Sequence, residues 1–452
     1  MNDAMKIWRA GVAAVQSEML VKQHVRVASG QLMIGSQTFP LDSLSRIIVV
    51  GAGKAGAGMA LGLEAALGPE LLQEKQVTGW VNVPQDCLCD TRAIHLHAAR
   101  PAGVNEPTAE GALGSEKILQ LVQEADDSTL CIALISGGGS ALMPAPIAGI
   151  TLQQKLEITQ FLSGAGANIE QLNTVRKQLS RLKGQGLARA CRAGQLVTLI
   201  ISDVMGDPLD VIASGPTVPN STSVTDALDV LQHFRAETSL VGPEVIARLK
   251  ALEPSTAQSP TVHPTVSNLV IGSNAVSVDA AVACARELGY HTESYVASQS
   301  EGLADDLGRH LFEQARQMHQ RPGKHCLVSG GEPTVQLIDA AQRGRGGRNQ
   351  QVTLAALVTA IDQANGDTSR LLDGITILSG GTDGEDGPTD AAGAWVDAQI
   401  AARVINKQLD PVDHLRTNNA YPFFEQVGAL IKTGPTHTNV CDIRIVLTDS
   451  SG

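Results

Sequence analysis

Six short runs of aliphatic and β-branched residues, each closing on glycine and a polar side chain, recur along the chain: RIIVVGAG, TLCIALISGGGS, GQLVTLIISDVMGD, SNLVIGSN, KHCLVSGGEPTV and GITILSGGTDG. A strand with one wet face alternates apolar and polar residues. These runs are apolar without interruption, so both faces of their sheets must be covered, and Ala- and Leu-rich helical stretches lie between them to cover them. The pattern specifies an α/β protein with mainly parallel sheets, the N-terminal domain Rossmann-like and doubly wound. At 452 residues the chain is long enough for two or three domains. The segment LEPSTAQSPTVHPTVSN, residues 252–268, is the richest in Pro, Ser and Thr and reads as the connection between domains 1–250 and 251–452. Ligands of such folds bind beyond the carboxyl ends of the strands, so the glycine endings mark the functional edges.

The first ending is the most ambiguous. In RIIVVGAGKAGAGMALGLEAAL a strand over Ile47–Val50 enters GxGxxG, with Gly51, Gly53 and Gly56, and then a helix, which is the layout of a dinucleotide turn. NAD would also need an acid at the end of the second strand for its ribose. That strand, read at Val77–Val83, ends in Pro84 and Gln85, with Asp86 late. Lys54 stands inside the turn, where its ammonium would lie beside any anion held at the helix N-terminus, favouring phosphate or carboxylate chemistry over hydride transfer. The bland alternative is tight strand-to-helix packing with a solvated Lys54.

The second ending places Ser136, Gly137, Gly138, Gly139 and Ser140 after a buried strand. Several unobstructed backbone N–H groups can surround an anion there, and the missing Lys-Ser/Thr ending excludes a Walker A loop. Cations follow. LNTVRKQLSRLKGQGLA puts Asn173, Arg176 and Lys177 within one helical turn, and AQRGRGGRNQQ spaces Arg343, Arg345 and Arg348 with glycines, so that a guanidinium can meet a phosphate or carboxylate in bidentate fashion. Carboxylates close two further strands, Asp203 and Asp207 in SDVMGDPLD and Asp383, Glu385, Asp386 and Asp390 in GTDGEDGPTD. Their spacing misses the EF-hand pattern and suits Mg²⁺ with phosphates, or a base for a hydroxyl. Glu332, after CLVSGG, is a further candidate, or a plain helix-start acid.

Composition excludes several classes. A net charge of −12, 3% aromatic residues and no basic cluster argue against nucleic acid. No run approaches the roughly 18 apolar residues of a membrane span, and the N-terminus reads as an amphipathic helix, so a cytoplasmic setting is expected. Seven cysteines, with one CxC and no second pair at zinc spacing, read as reduced thiols.

Eight ordered blocks carry a family resemblance: GAGKAGAGMA, SGGGSALMPAP, LNTVRKQLSRLKGQGLA, SDVMGDPLDVIASGPTVP, SGGEPTV, GRGGRNQQ, GTDGEDGPTDAAGAWVD and THTNVCDIRIVL, spanning residues 46–447. The chain resembles the glycerate 2-kinases, whose C-terminal part is called the MOFRL domain. The resemblance implies ATP-dependent, Mg²⁺-requiring phosphorylation of D-glycerate to 2-phosphoglycerate, with Lys54 and Arg345 at the transferring phosphate. On this reading Asp383 and Asp203 are catalytic candidates. The SGGGS turn with Asn173, Arg176, Lys177 and Arg348 binds substrate and phosphate, and Asp207, Glu332 and Asp390 are metal candidates. The anion turns precede residue 220 and the Arg/Gly and Asp/Gly loops follow residue 330, so each half carries part of the machinery. Two departures stand out: HLHAARPAGVNEPT, residues 95–108, replaces a Gly-His-Pro segment, and Gln351 takes the place of a common Glu. The rival readings are an NAD(P)H-dependent hydroxypyruvate reductase and a non-enzymatic sensor of a phosphorylated metabolite. Partners are small molecules, and self-association is left open.

Overall fold

The computed structural model describes residues 2–101, 103–104, 106–252, 264–366 and 370–450. Its strands are β1 (Val25–Ala28), β2 (Gln31–Ile34), β3 (Gln37–Pro40), β4 (Arg46–Ala52), β5 (Thr78–Pro84), β6 (Ile94–Arg100), β7 (Thr129–Ser136), β8 (Gln195–Ile201), β9 (Thr265–Gly272), β10 (His291–Val296), β11 (Gly323–Gly331), β12 (Ile375–Gly381), β13 (Gly393–Val396), β14 (Leu430–Ile431) and β15 (Asp442–Ser450). The backbone divides into two compact units, one of residues 17–271 and one of residues 1–16 with 272–452.

The first unit holds a six-stranded sheet in the order β6-β5-β4-β7-β8-β9. The pairs β6/β5, β5/β4, β4/β7 and β7/β8 are all parallel, as the uninterrupted apolar runs require: every residue of β7 is buried. β1, β2 and β3 form a small antiparallel sheet of their own. Two helices that matter below are fixed at their starts by reciprocal caps. Thr151 and Gln154 close the N-terminus of helix Leu152–Gly164, and Asn168 with Gln171 closes that of helix Ile169–Gln178.

The second unit's sheet has the order β10-β11-β15-β12-β13-β14. Here the expectation of a mainly parallel sheet needs correcting, because only β10/β11 is parallel and the other pairs are antiparallel. The chain's last strand, β15, inserts between β11 and β12 against the direction of both. Its run IRIVL is buried on both faces, and such a run reads alike in either direction.

The boundary also differs from the reading at residue 250. Helix Asn2–Ala14 belongs to the second unit: Trp8, 1% exposed, donates its indole N–H to the Gly380 carbonyl (3.1 Å), and the Ser277 hydroxyl donates to the Gly11 carbonyl (2.8 Å). Of the connection read at 252–268, residues 253–263 lie outside the described residues, and β9 begins at Thr265. Among the described residues no helix is long and apolar enough to cross a membrane, and no disulfide joins the cysteines. Trp8→Ala is expected to destabilise the second unit by about 3–5 kcal/mol, the usual cost of emptying a buried aromatic site. Equilibrium urea unfolding monitored by circular dichroism measures it, and a loss below about 1 kcal/mol would show the helix to be dispensable there.

Candidate functional site

β4 and β7 lie side by side, with Ala52 level with Ile135, so the turns after them leave the same sheet edge as neighbours. The Lys54 N–H donates to the Gly137 carbonyl (2.9 Å) and the Ala55 N–H to Ser136 Oγ (3.0 Å). Gly53 has φ +153°, and a Cβ on it would overlap Ser136 Oγ; one on Gly51 would overlap the Leu134 carbonyl; one on Gly56 would come within 2.9 Å of Val81. The GxGxxG glycines are therefore required by the meeting of sheet and turns, with no ligand invoked. β5 ends at Pro84, and Asp86 sits exposed in the 3₁₀ turn Gln85–Cys87 instead of closing the strand.

The SGGGS turn gathers chemistry around it. Gly138 is left-handed (φ +77°), and its Cβ position lies 3.4 Å from Arg100 Nη2 and 3.6 Å from Lys54 Cγ, so both cations flank this residue. A Cβ on Gly137 would overlap the Asp203 carboxylate. Ser140 accepts from the Lys183 ammonium at its carbonyl (2.9 Å) and its hydroxyl (2.5 Å), and its hydroxyl also meets Ser214 Oγ (3.1 Å).

Beside the turn lies a cavity of about 400 Å³ whose lining includes Arg100, Gly138, Ser140, Lys155, Arg176 and Lys183. Lys155, on helix 152–164, and Lys183 are 4% and 3% exposed. The Lys155 Nζ is buried with no hydrogen-bond partner. Burial, with the nearby Arg176 charge, brings the Lys155 ammonium down to about 7, and burial with Lys155 and Arg176 puts Lys183 well below the lysine range. Burial lowers Arg176 and Arg100 as well. Such a concentration of desolvated positive charge is costly in an empty protein and suits an anion.

Of the residues singled out in the sequence, Lys54, Ser136, Gly137, Gly138, Gly139, Ser140, Arg176 and Asp203 meet at or beside this turn. Lys177, read as phosphate-binding, instead forms an ion pair with Asp210 (3.4 Å). Asn173 is buried on the same helix without being among the cavity's lining residues. Asp207 takes a left-handed backbone (φ +53°) in the loop after β8.

In the second unit, Gly331 of β11 and Gly381 of β12 both stand level with Asp442, the first residue of β15. Arg348, opening helix Arg348–Gln363, donates to both Asp442 oxygens (Nε 2.7 Å, Nη2 3.1 Å) and to Glu332 (Nη1 2.5 Å). Burial opposes its charge, but Asp442 and Glu332 hold the guanidinium above its usual range. Arg348, read as a phosphate binder, thus clamps the wholly buried Asp442, and Glu332, read as a metal candidate, meets the same cation. Asp383 accepts from the Glu385 N–H (3.1 Å), and Gly381's Cβ position lies 3.1 Å from Asp383 Oδ1 and 3.5 Å from Asp442 Oδ1, so the two acids stand near one another. Asp390, read as a metal ligand, bonds Tyr421 OH (2.5 Å) and Lys432 (3.0 Å), whose hydrogen bonds hold its carboxyl below the ordinary range. The Arg345 guanidinium stacks 3.9 Å above the Tyr421 ring. Among the described residues no three His, Cys, Asp or Glu side chains gather as a metal cage.

Sequence reasoning missed Arg100, Lys155, Lys183 and Asp442. Asp386, one of the acids of the GTDGEDGPTD run, is buried and caps helix 348–363 through the Asn349 and Gln350 N–H groups (3.0 and 2.8 Å). Desolvation pushes the Asp386 carboxyl up to about 7 despite those donors. One signal was available: Lys155 shares the i, i+3, i+7 stripe with the buried Ile158 and Leu162, an odd place for a charge.

A family model described as "Domain of unknown function (DUF4147)" matches residues 3–250, and one described as "MOFRL family" matches residues 325–442. Glycerate kinase of Rattus norvegicus is 34% identical over 99% of this chain and 92% of its own. D-glycerate 2-kinase of Thermotoga maritima is 34% identical over 91% of this chain and 93% of its own. The chain belongs to the glycerate 2-kinase family. The crystal structure of glycerate kinase from Thermotoga maritima superposes with a TM-score of 0.82 at 32% identity, covering 99% of each chain.

In this member of the glycerate 2-kinase family, Arg348→Met is expected to cost about 3–5 kcal/mol of stability by stranding the buried Asp442. Urea unfolding measures it; unchanged stability with a raised KM for ATP would return Arg348 to phosphate binding.

Proposed function

We propose that the chain transfers the γ-phosphoryl group of ATP to the 2-hydroxyl of D-glycerate, giving 2-phosphoglycerate and ADP. The observation that carries this reading is the cavity of buried cations beside the SGGGS turn, with Lys54 next to Gly138 at its edge. The names of the full-length relatives support it. Phosphoryl transfer asks the protein mainly for positioning and charge stabilisation. Lys54 and Arg345 are assigned to the transferring phosphate, where a well-placed cation is worth on the order of 10³ to 10⁵ in rate in known phosphoryl-transfer enzymes. Arg176 and the N–H groups of the SGGGS turn take the glycerate carboxylate. The base for the C2 hydroxyl is drawn from Asp203 and Asp383.

Mg²⁺ fits the residues present. The Asp203 carboxylate lies against Gly137, within the same turn that offers its N–H groups to an anion, and a cation between the two would remove their repulsion. Mg²⁺ at a nucleotide is commonly held by one or two carboxylates plus phosphate oxygens and water, so no all-protein cage is needed. With Asp383 as the base, Asp203 and Asp207 would hold it, and bound there it would neutralise charge on the phosphates. A cytoplasmic setting belongs to the same reading, because ATP is the donor.

A coupled assay with D-glycerate, ATP and Mg²⁺, run beside hydroxypyruvate with NADH or NADPH, tests the reading. ADP formation without nicotinamide oxidation is expected, and the reverse result would make the chain a reductase. EDTA should abolish turnover and added Mg²⁺ restore it; persistence of full activity would remove the metal from the scheme. Lys54→Ala should lower kcat at least 100-fold, an order of magnitude drawn from the loss of charge stabilisation in a transition state, while the melting temperature stays within about 2 °C, as for a turn residue outside the core.

A further inference from the structure

Lys155 is the group that the fold does not account for. Its helix is well capped, its neighbours on the buried stripe are Ile158 and Leu162, and any aliphatic residue would serve the packing there. Instead the chain buries an ammonium and leaves it without a hydrogen-bond partner, in the wall of a cavity already holding Arg100, Arg176 and Lys183. Lys183 differs, since Ser140 accepts from it twice and fixes it against the SGGGS turn. A buried amine with no hydrogen-bond partner lowers stability in either protonation state, so its presence calls for a partner that is not part of the protein.

We infer that Lys155 is an acceptor-binding residue, and that its partner is the carboxylate of D-glycerate, received in the cavity by Lys155 together with Arg176. The inference rests on the kinase reading above and adds to it a residue and the direction in which the acceptor points. Size favours the acceptor over the nucleotide: about 400 Å³ is near the lower end of the roughly 300–1,000 Å³ of small-molecule sites. A three-carbon acid can place both carboxylate oxygens among the cations there. Orientation favours it too. Gly138 borders the cavity and has Lys54 alongside, so a carboxylate held within leaves the 2-hydroxyl, on the adjacent carbon, facing the cation assigned to the transferring phosphate.

A proton signature accompanies binding. The charged or titratable groups facing Lys155 are Arg176 from helix 169–178, Lys183 from the turn before helix Gly186–Ala190, Arg100 from the end of β6, and Glu106 from the following loop. Without an anion Lys155 sits near 7, so at pH 8 it is mostly neutral in the folded protein. A carboxylate beside it favours the charged form, so binding takes up about one proton at pH 8 and progressively less toward pH 6, where the ammonium is already charged. Lys183 adds to this uptake, and a variant is needed to isolate the Lys155 share.

The test is Lys155→Met, which keeps the aliphatic length and removes the charge. Three outcomes are expected together. The unliganded variant melts at a temperature equal to or above that of the parent chain. D-glycerate binding by titration calorimetry weakens roughly 10- to 100-fold, as for loss of a charge-assisted hydrogen bond, with kcat changing less than KM and the KM for ATP within about twofold. Proton uptake at pH 8, from calorimetry in buffers of different ionisation heat, falls. A variant that melts lower and binds glycerate unchanged would make Lys155 a structural residue and overturn the inference. Loss of ATP affinity with glycerate affinity intact would give the cavity to the nucleotide phosphates and overturn it equally. Lys155→Gln, smaller and neutral, covers the case of a poorly folding methionine variant and should show the same weakening. Turnover of D-glycerate by the unaltered chain tests the kinase reading separately: if it turns over and both variants keep a normal KM, only this inference falls.

Discussion

The chemistry of the first unit depends on the contact between the turns after β4 and β7. Neighbouring strands run about 4.8 Å apart, and two turns leaving adjacent strands at one edge compete for a single volume. The competition is resolved by removing side chains: Gly53 lies where only a hydrogen fits against Ser136, and the Lys54 and Ala55 N–H groups bond directly to Gly137 and Ser136. Everything chemical in the first unit is referred to this contact. Arg100 and Lys54 are placed by their approach to Gly138, Asp203 by its approach to Gly137, and Lys183 by its bonds to Ser140. A shift of one turn would move every one of these groups.

The two units treat buried charge in opposite ways. In the second, charges are closed on themselves: Arg348 is held by Asp442 and Glu332, the wholly buried Arg444 meets Glu301 through two 2.9 Å bonds, and Asp386 is capped by backbone N–H groups. Such sets fix strand ends and helix starts. In the first unit the cations around the cavity repel one another, and Lys155 has no hydrogen-bond acceptor. Satisfied charge marks architecture, and the unsatisfied charge beside the SGGGS turn is the ground on which the acceptor site is proposed.

How much of this the sequence discloses depends on whether the cause is local. The glycine-ended strands, the anion turn and Arg176 are legible because strand, turn and helix start are encoded within a few residues. The direction of β15 is not, because a strand buried on both faces carries no mark of its partners' polarity. The pairing of Arg348 with Asp442 spans 94 residues, and from sequence alone a glycine-flanked arginine looks the same whether it grips a carboxylate or a phosphate. Asp390 was legible as an acid in a dense Asp/Gly turn, but Lys432 and Tyr421, which engage it, lie far along the chain. Lys155 was hidden for a different reason: a single lysine on a helix ordinarily faces water, and only the buried stripe around it says otherwise.

The packing of Trp8 against Gly380 gives the chain an unusual order of assembly. Their contact closes a loop of 372 residues, and the chain crosses from one unit to the other near residues 16 and 271, so the first unit is in effect an insert within the second. On a ribosome the helix of Trp8 emerges before the first unit, and the sheet that buries its indole only after it. The insert can complete its parallel sheet in the interval, while the helix waits with its apolar face unburied. A cell that makes this protein must keep that face from other partners until β12 and β15 arrive.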